Sequence, residues 1–181
     1  MAGELTLLLR EASAGDQPAL DRLVALLYVE LRQLAHRCRR HGPGEMATTS
    51  LVHECYLRFV RAGDLALNDR AHFFNLAARI MRQLLCDYAR ECLAVKRGGE
   101  VEHVPLRDDD AAELAEAEQC LAIDEALTRL QALRPDQAKV VECRFYAGLT
   151  EEETAEATGR SLRSVQRDWQ AARQWLAGQL D

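Results

Sequence analysis

Apolar residues recur at helical spacing along most of the chain, and this pattern restricts the fold more than any other feature. Five leucines of the first half lie three or four positions apart, namely Leu20, Leu23, Leu27, Leu31 and Leu34. Residues at this spacing share one face of an α-helix, whereas a half-buried strand alternates apolar and polar residues. No segment shows that alternation. The sequence therefore predicts an all-α protein.

Four helices are predicted in the first half, arranged around one core. The first is short and ends at Gly15. The leucine helix begins at Asp16 with Pro18 in its first turn, which is typical of a helix N-terminus. Further apolar faces predict helices over about 50–61 and about 69–95.

An acidic segment separates this half from the rest. Residues 98–120 contain one arginine against eight Asp and Glu residues, and such a charge run is typical of a solvated tether. The segment predicts a linker between a domain of residues 1–97 and a domain of residues 121–181. The second domain opens with predicted helices over 121–133 and from Pro135 to near residue 148.

The chain ends in two helices joined by a glycine turn. Thr150 followed by Glu153 has the pattern of a capping box, and Gly159 ends that helix after two turns. Ser161 then caps the last helix. The predicted fold is thus two small helical domains joined by an acidic linker, the second ending in a helix-turn-helix.

The last helix carries a basic outer face although the whole chain has a formal net charge of −6. Its outward positions are Arg163, Ser164, Gln166, Arg167, Gln170 and Arg173. Guanidinium groups bind phosphates and guanine edges, and amides read base edges. The face therefore predicts DNA binding. The alternative is an amphipathic surface helix with solvated arginines.

Motifs across nearly the whole chain resemble one family. The run LTEEETAEATGRSLRSVQRDWQAARQWL resembles the DNA-reading end of bacterial sigma factors of the extracytoplasmic-function (ECF) class. TSLVHECYLRFV is similar to the polymerase-binding helix of that family, and RAHFFNLAARIMRQLLCDYAR to its helix for the downstream promoter element. The VKRGG segment is also similar to family members, and the motifs follow the family's order.

The resemblance implies an alternative sigma factor that binds RNA polymerase core and promoter DNA and directs promoter opening and transcription initiation. Residues 1–97 would dock on the polymerase clamp and open the minus-ten element. The acidic linker would thread toward the polymerase active site. Residues implied in polymerase binding are Leu51, Val52, Glu54, Leu57 and Arg58.

The resemblance also assigns two sets of DNA contacts. The minus-thirty-five element would be read by Arg160, Ser161, Arg163, Ser164, Gln166, Arg167 and Arg173. The minus-ten element would be contacted by Asn68, Arg70, His72, Asn75, Arg79, Arg82, Arg90, Lys96 and Arg97. A wedge or stacking role would fall to Phe73, Phe74 or Tyr88, although Phe73 fits the core equally well.

The polymerase-binding helix departs from the family at its start. Many members place carboxylates just before the Leu-Val pair, whereas this chain has Thr48, Thr49 and Ser50. Hydroxyl groups at a helix N-terminus serve as caps. Alternatively, a Ser/Thr kinase supplies the missing charge, because a phosphate adds nearly two negative charges. The sequence does not indicate whether an anti-sigma factor binds.

Other classes fit less well. His53-Glu54 begins like a zinc-protease motif, but Leu57 replaces the second histidine. His36, Cys38 and His41 lack a second cluster to complete a metal site. We therefore expect no enzyme activity, metal or cofactor.

The location and the partners also follow from the sequence. The short apolar run near the N-terminus is interrupted by Arg10 and Glu11, which predicts no signal peptide or membrane partner. The six cysteines contain no CxxC pair, which indicates reduced thiols and a cytoplasmic location. The remaining alternative is a conventional operator-binding regulator, which would bind its promoter tightly without polymerase.

Overall fold

The helices follow one another closely along the chain. The computed structural model describes residues 2–43, 46–62, 67, 69–98 and 108–180. Within these ranges every regular element is helical, which confirms the predicted all-α class. The α-helices are α1 Ala2–Ser13, α2 Gln17–Leu26, α3 Tyr28–Arg39, α4 Thr48–Ala62, α5 Arg70–Gly98, α6 Asp108–Leu133, α7 Pro135–Val141, α8 Glu151–Thr158 and α9 Leu162–Leu180.

The leucine-rich segment of the first half, predicted as one helix, forms the two helices α2 and α3. Asp16 caps α2 as predicted, because its side chain accepts a hydrogen bond from the Ala19 amide at 3.1 Å. At Leu27 the backbone leaves helical geometry, with φ −100° and ψ 13°, and α3 begins at Tyr28. The apolar stripe continues across this bend, so Leu23 and Leu31 are both buried in the same core.

The part of the predicted linker that the structure describes is helical. Asp108–Leu133 forms the single helix α6, and Ala117 and Cys120 are buried against the core. The prediction of a solvated tether is therefore wrong for residues 111–120. Acidic residues dominate the composition of this segment, so its few apolar residues did not indicate a buried side. The structure shows that side where α6 packs on α5.

A π-helical segment follows α7. It covers Glu142–Tyr146, and the Ala147 amide donates a hydrogen bond to the Glu142 carbonyl at 3.0 Å. Such a bulge shifts the side-chain register of a helix. Here it accompanies the burial of Glu142 and Tyr146, of which only 6% and 4% are exposed.

The two halves share one apolar core. Buried residues from α1 to α9 form a single cluster. Arg37 of α3 donates a hydrogen bond to the Ala147 carbonyl at 2.9 Å. Gly148 has φ +68°, and a Cβ atom there would lie 2.5 Å from Nε of Arg37. Glycine thus allows the turn before α8 to approach the first half closely.

Among the described residues, no helix is long and apolar enough to cross a membrane.

Candidate nucleic-acid interface

The turn between α8 and α9 has the geometry that the sequence predicted. The Thr150 hydroxyl accepts from the Glu153 amide at 3.1 Å, and the Glu153 carboxylate accepts from the Thr150 amide at 2.8 Å. Gly159 is left-handed, with φ 64°, which ends α8 in the usual way. The Ser161 hydroxyl accepts from the Ser164 amide at the start of α9. These local bonds fix the helix-turn-helix.

One face of α9 is buried and the other carries the predicted polar side chains. Val165 and Ala172 are completely buried. The exposed residues of the outer face are Ser161, Arg163, Gln166, Arg167, Gln170 and Arg173, with Ser164 half-buried. The Arg173 guanidinium lies over the Trp169 ring, 5.8 Å from its centroid. The outer face therefore presents donors that can meet phosphates and base edges.

Arg160 is more enclosed than Arg167 of this face, with 24% of its side chain exposed against 72%, although Arg167 also lies 3.6 Å from Asp168. One nitrogen of Arg160 lies 2.6 Å from a carboxylate oxygen of Asp168, and its guanidinium also pairs with Asp136 of α7. Asp168 is buried, although its position gave no signal in the sequence. Because a buried carboxylate needs a partner, the geometry gives Arg160 a role in holding the turn.

The arginines of α5 meet two carboxylates of the second half. Arg82 is buried, with nitrogens 3.4 Å from Asp124 of α6 and 3.4 Å from Glu142 of the π-helical segment. Arg79 lies 3.9 Å from Glu142, and Arg90 lies 3.7 Å from Asp124. We call Asp124 and Glu142 the acidic pair. The predicted minus-ten residues of this stretch are thus partly covered.

The other minus-ten candidates lie at different depths. Arg70 pairs with Glu30 at 3.5 Å and lies over the Phe74 ring. His72 is half-buried, and its amide donates to Asp69. Asn75 is half-buried, with its Oδ1 atom enclosed. Three predicted contacts, Asn68 and the side chains of Lys96 and Arg97, lie outside the described residues.

Phe73 belongs to the core rather than to this surface. It is fully buried and stacks on Phe59 of α4, with ring centroids 5.4 Å apart. Phe74 is also buried and meets Phe73 edge-on. Of the three aromatic candidates for a wedge, only Tyr88 is half-exposed.

The predicted polymerase-binding helix divides into buried and exposed residues. Leu51 and Val52 are buried at 0% and 4% exposure, so in this arrangement they support α4 from within. Glu54 and Leu57 are half-exposed. Arg58 pairs with Asp87 of α5 at 3.1 Å. Of the five residues, only Glu54, Leu57 and Arg58 have part of their surface exposed.

An apolar surface beside α4 was missed by the sequence analysis. Leu26, Tyr28 and Val29 surround the α2–α3 bend and are 46%, 41% and 65% exposed. Tyr28 and His53 of α4 line the same groove. The sequence did contain a signal for this surface. Leu26 and Val29 are apolar but do not belong to the series of spaced leucines that forms the buried side. Neighbouring exposed apolar residues make this bend a candidate for a protein contact.

The three hydroxyl residues form the first turn of α4. Thr49 and Ser50 are exposed. The Thr48 hydroxyl accepts a hydrogen bond from Arg39 of α3 at 3.3 Å. Thr48 also borders a cavity lined by Arg32, Arg37 and Arg40, so the first residue of α4 faces a basic surface of its own chain.

The suggested metal residues do not assemble. Cys38 is fully buried beside the Tyr146 carbonyl, and burial raises the pKa of its thiol to about 12. His41 packs on Phe145, with ring centroids 4.1 Å apart. Within the described ranges, no group of three or more His, Cys, Asp or Glu side chains is arranged to hold a metal ion.

Comparison with known proteins decides the family. A family model described as ECF sigma factor matches residues 2–181. The chain belongs to the ECF sigma factors. The suspected relationship is thereby confirmed over nearly the whole sequence, and this sigma factor acts in transcription initiation as an alternative sigma factor that binds RNA polymerase core and promoter DNA.

One solved structure is similar to this sigma factor. It is described as the structure of CnrH in complex with the cytosolic domain of CnrY, with 23% identity and a TM-score of 0.44. The match covers 98% of this chain and 97% of that chain. No curated protein matches the sequence.

Proposed function

We propose that this sigma factor reads the minus-thirty-five element with the outer face of α9 and the minus-ten element with α5. Residues 121–181 would serve the first task and residues 1–97 the second, with 98–120 connecting them. The observation that carries the proposal is the exposed basic face of α9. This helix is the second of a capped helix-turn-helix, and its opposite side is buried. Arg160 holds the turn in this proposal, whereas Arg163, Arg167 and Arg173 contact DNA.

Replacing Arg163 and Arg167 with alanine tests the DNA-reading face. Each lost base contact should weaken promoter binding by ~1–3 kcal/mol, and each lost phosphate contact should reduce the salt dependence. Binding is measured with a promoter selected from genomic DNA by transcription with RNA polymerase core. Arg129→Ala on the exposed side of α6 is the matched control and should bind normally.

The same binding assay separates a sigma factor from an operator-binding regulator. With polymerase core present, the wild type should bind the promoter specifically and initiate RNA synthesis. Tight specific binding by the free protein, unchanged by polymerase, would contradict the proposed role.

Polymerase docking is assigned to the exposed side of α4 and the neighbouring bend. Glu54, Leu57 and Arg58 supply the α4 contacts, and the exposed Tyr28 and Val29 supply the apolar contact. Docking surfaces combine an apolar centre with a polar rim, which this arrangement provides. Leu51 and Val52 act by fixing α4 from the core.

Phosphorylation by a Ser/Thr kinase is proposed as the switch for this docking surface. A phosphate is favoured at a helix N-terminus, and all three hydroxyl residues lie in the first turn of α4. On Thr49 it would add charge to the exposed docking side. On Thr48 it would instead meet Arg39 and the basic cavity of α3, which would hold α4 more firmly. Thr49 is therefore the preferred acceptor.

Pull-down of polymerase core tests the switch. Protein from a kinase-free host should bind weakly, and the same protein phosphorylated at Thr49 should bind about tenfold or more tightly, the size of effect expected from one or two charge-assisted contacts. Thr49→Ala should remain weak after kinase treatment, whereas Thr48→Ala and Ser50→Ala should respond. Full binding without phosphate, unaffected by alanine at all three positions, would show that these hydroxyl groups serve only the helix.

A further inference from the structure

Two thiols face each other across the contact between α5 and α6. The Sγ atoms of Cys86 and Cys120 lie 3.9 Å apart, and both side chains are buried. A disulfide bond has an S–S distance of about 2.05 Å, so the sulfur atoms need to approach by about 2 Å. The pair links a helix of the first half to the helix that leads into the second.

The two thiols differ in acidity. The hydrogen bond between the two thiols lowers the pKa of Cys120, and the guanidinium groups of Arg90 and Arg82 act in the same direction. Desolvation and Asp124 oppose this effect. The same hydrogen bond, together with burial, raises the pKa of Cys86. The surroundings of Cys120 therefore favour its thiolate, which is the reactive form of cysteine.

Both cysteines are among the residues that line clefts. Cys86 lines a cleft with Arg82, Arg90 and the acidic pair, and Cys120 lines another cleft that includes His36. An oxidant as small as hydrogen peroxide can enter such clefts. Burial also raises the pKa of Cys143 to about 12, so that thiol stays protonated and does not start the reaction with peroxide.

A bond between these thiols would also affect the predicted promoter contacts. Asp124 lies one helical turn beyond Cys120 on α6 and pairs with Arg82 and Arg90 of α5. As long as α6 stays on α5, these two arginines face carboxylates. Arg82, with only 11% of its side chain exposed, can bind a phosphate only if α6 moves away, and Arg90 must exchange Asp124 for the phosphate.

We propose that Cys86 and Cys120 form a redox-sensitive pair whose disulfide fixes α6 on α5 and keeps Arg82 and Arg90 paired with Asp124. The effect on transcription rests on the proposed function, whereas disulfide formation does not. The Cys120 thiolate attacks one oxygen of hydrogen peroxide, the O–O bond breaks, and hydroxide leaves as a sulfenic acid forms. The Cys86 sulfur then displaces the sulfenic hydroxyl as water. Two thiols are oxidised and the peroxide is reduced to two waters.

Peptide mapping of the full chain tests the bond directly. After peroxide treatment and alkylation, trypsin should release residues 83–90 joined to residues 108–129, and dithiothreitol should separate them. Cys86→Ser and Cys120→Ser should each abolish the joined peptide. Cys92→Ser, a half-buried cysteine of α5 outside the pair, is the control and should retain it. No joined peptide in the wild type would overturn the proposal.

Transcription with RNA polymerase core tests the consequence. The oxidised wild type should lose about tenfold or more of its activity, because the competent arrangement becomes rare, and dithiothreitol should restore it. Cys120→Ser should stay active through the same treatment. A joined peptide with unchanged transcription would overturn the switch. Inactivity in both redox states, with the joined peptide present, would instead contradict the proposed sigma function.

Discussion

Phe73→Ala should lower the free energy of unfolding by about 3–5 kcal/mol, the range for deleting a buried phenyl ring. Phe73 is fully buried and touches the rings of Phe59 and Phe74. Its removal leaves a cavity between α4 and α5 that the surrounding helices can fill only in part. Urea denaturation followed by circular dichroism measures the loss.

The control for this substitution is the same change at a more exposed ring. Phe145 is 36% exposed, so Phe145→Ala should destabilise the protein much less. Equal small losses at both positions, combined with failed promoter opening by Phe73→Ala, would show that Phe73 acts on DNA and not in the core.

Arg82→Met should destabilise the protein by about 3–5 kcal/mol, because it leaves a buried carboxylate without its partner. Glu142 is 6% exposed and lies 3.4 Å from Arg82. The nearby Arg79 is 3.9 Å from Glu142 with 54% of its side chain exposed, so it compensates weakly. Chemical denaturation of the single variants and of the double variant measures the effect.

A double-mutant cycle identifies the cause. Arg82→Met combined with Glu142→Gln removes both charges and should be more stable than the sum of the single changes predicts, with a coupling of about 0.5–3 kcal/mol. Arg79→Met is the exposed control and should cost at most about 1 kcal/mol. Additive losses would mean that the buried pair contributes no specific interaction.

The helix-turn-helix was predictable because its signals are local. The Thr150 capping box and the Gly159 turn depend on residues within three or four positions of each other, and the structure forms both as the sequence indicated. The basic face of α9 follows from helical spacing alone. Short-range chemistry of this kind is readable without knowing the tertiary fold.

The bend between α2 and α3 was not predictable. It occurs at Leu27, where neither glycine nor proline interrupts the pattern. The apolar stripe simply continues through it. The sequence around Leu27 therefore contains no local signal for the break between α2 and α3.

The charged contacts of the candidate site were equally hidden. Arg82 and Glu142 are 60 positions apart, and their pairing depends on how α5 meets the π-helical segment. The resemblance to the family assigned both Arg82 and Arg160 to DNA. Asp168, the partner of Arg160, lies only eight positions away from it. Residue type identifies a candidate, whereas its partner depends on tertiary packing.

The continuous core from α1 to α9 has a consequence for how tightly polymerase is held. If polymerase binds only molecules whose halves have separated, the free energy needed to expose that core is subtracted from the free energy of polymerase binding. Every increment of about 1.4 kcal/mol by which the packed form is preferred would weaken the observed affinity about tenfold. Substitutions buried between the halves, which contact neither DNA nor polymerase, would then change how much transcription starts at a given concentration of this protein.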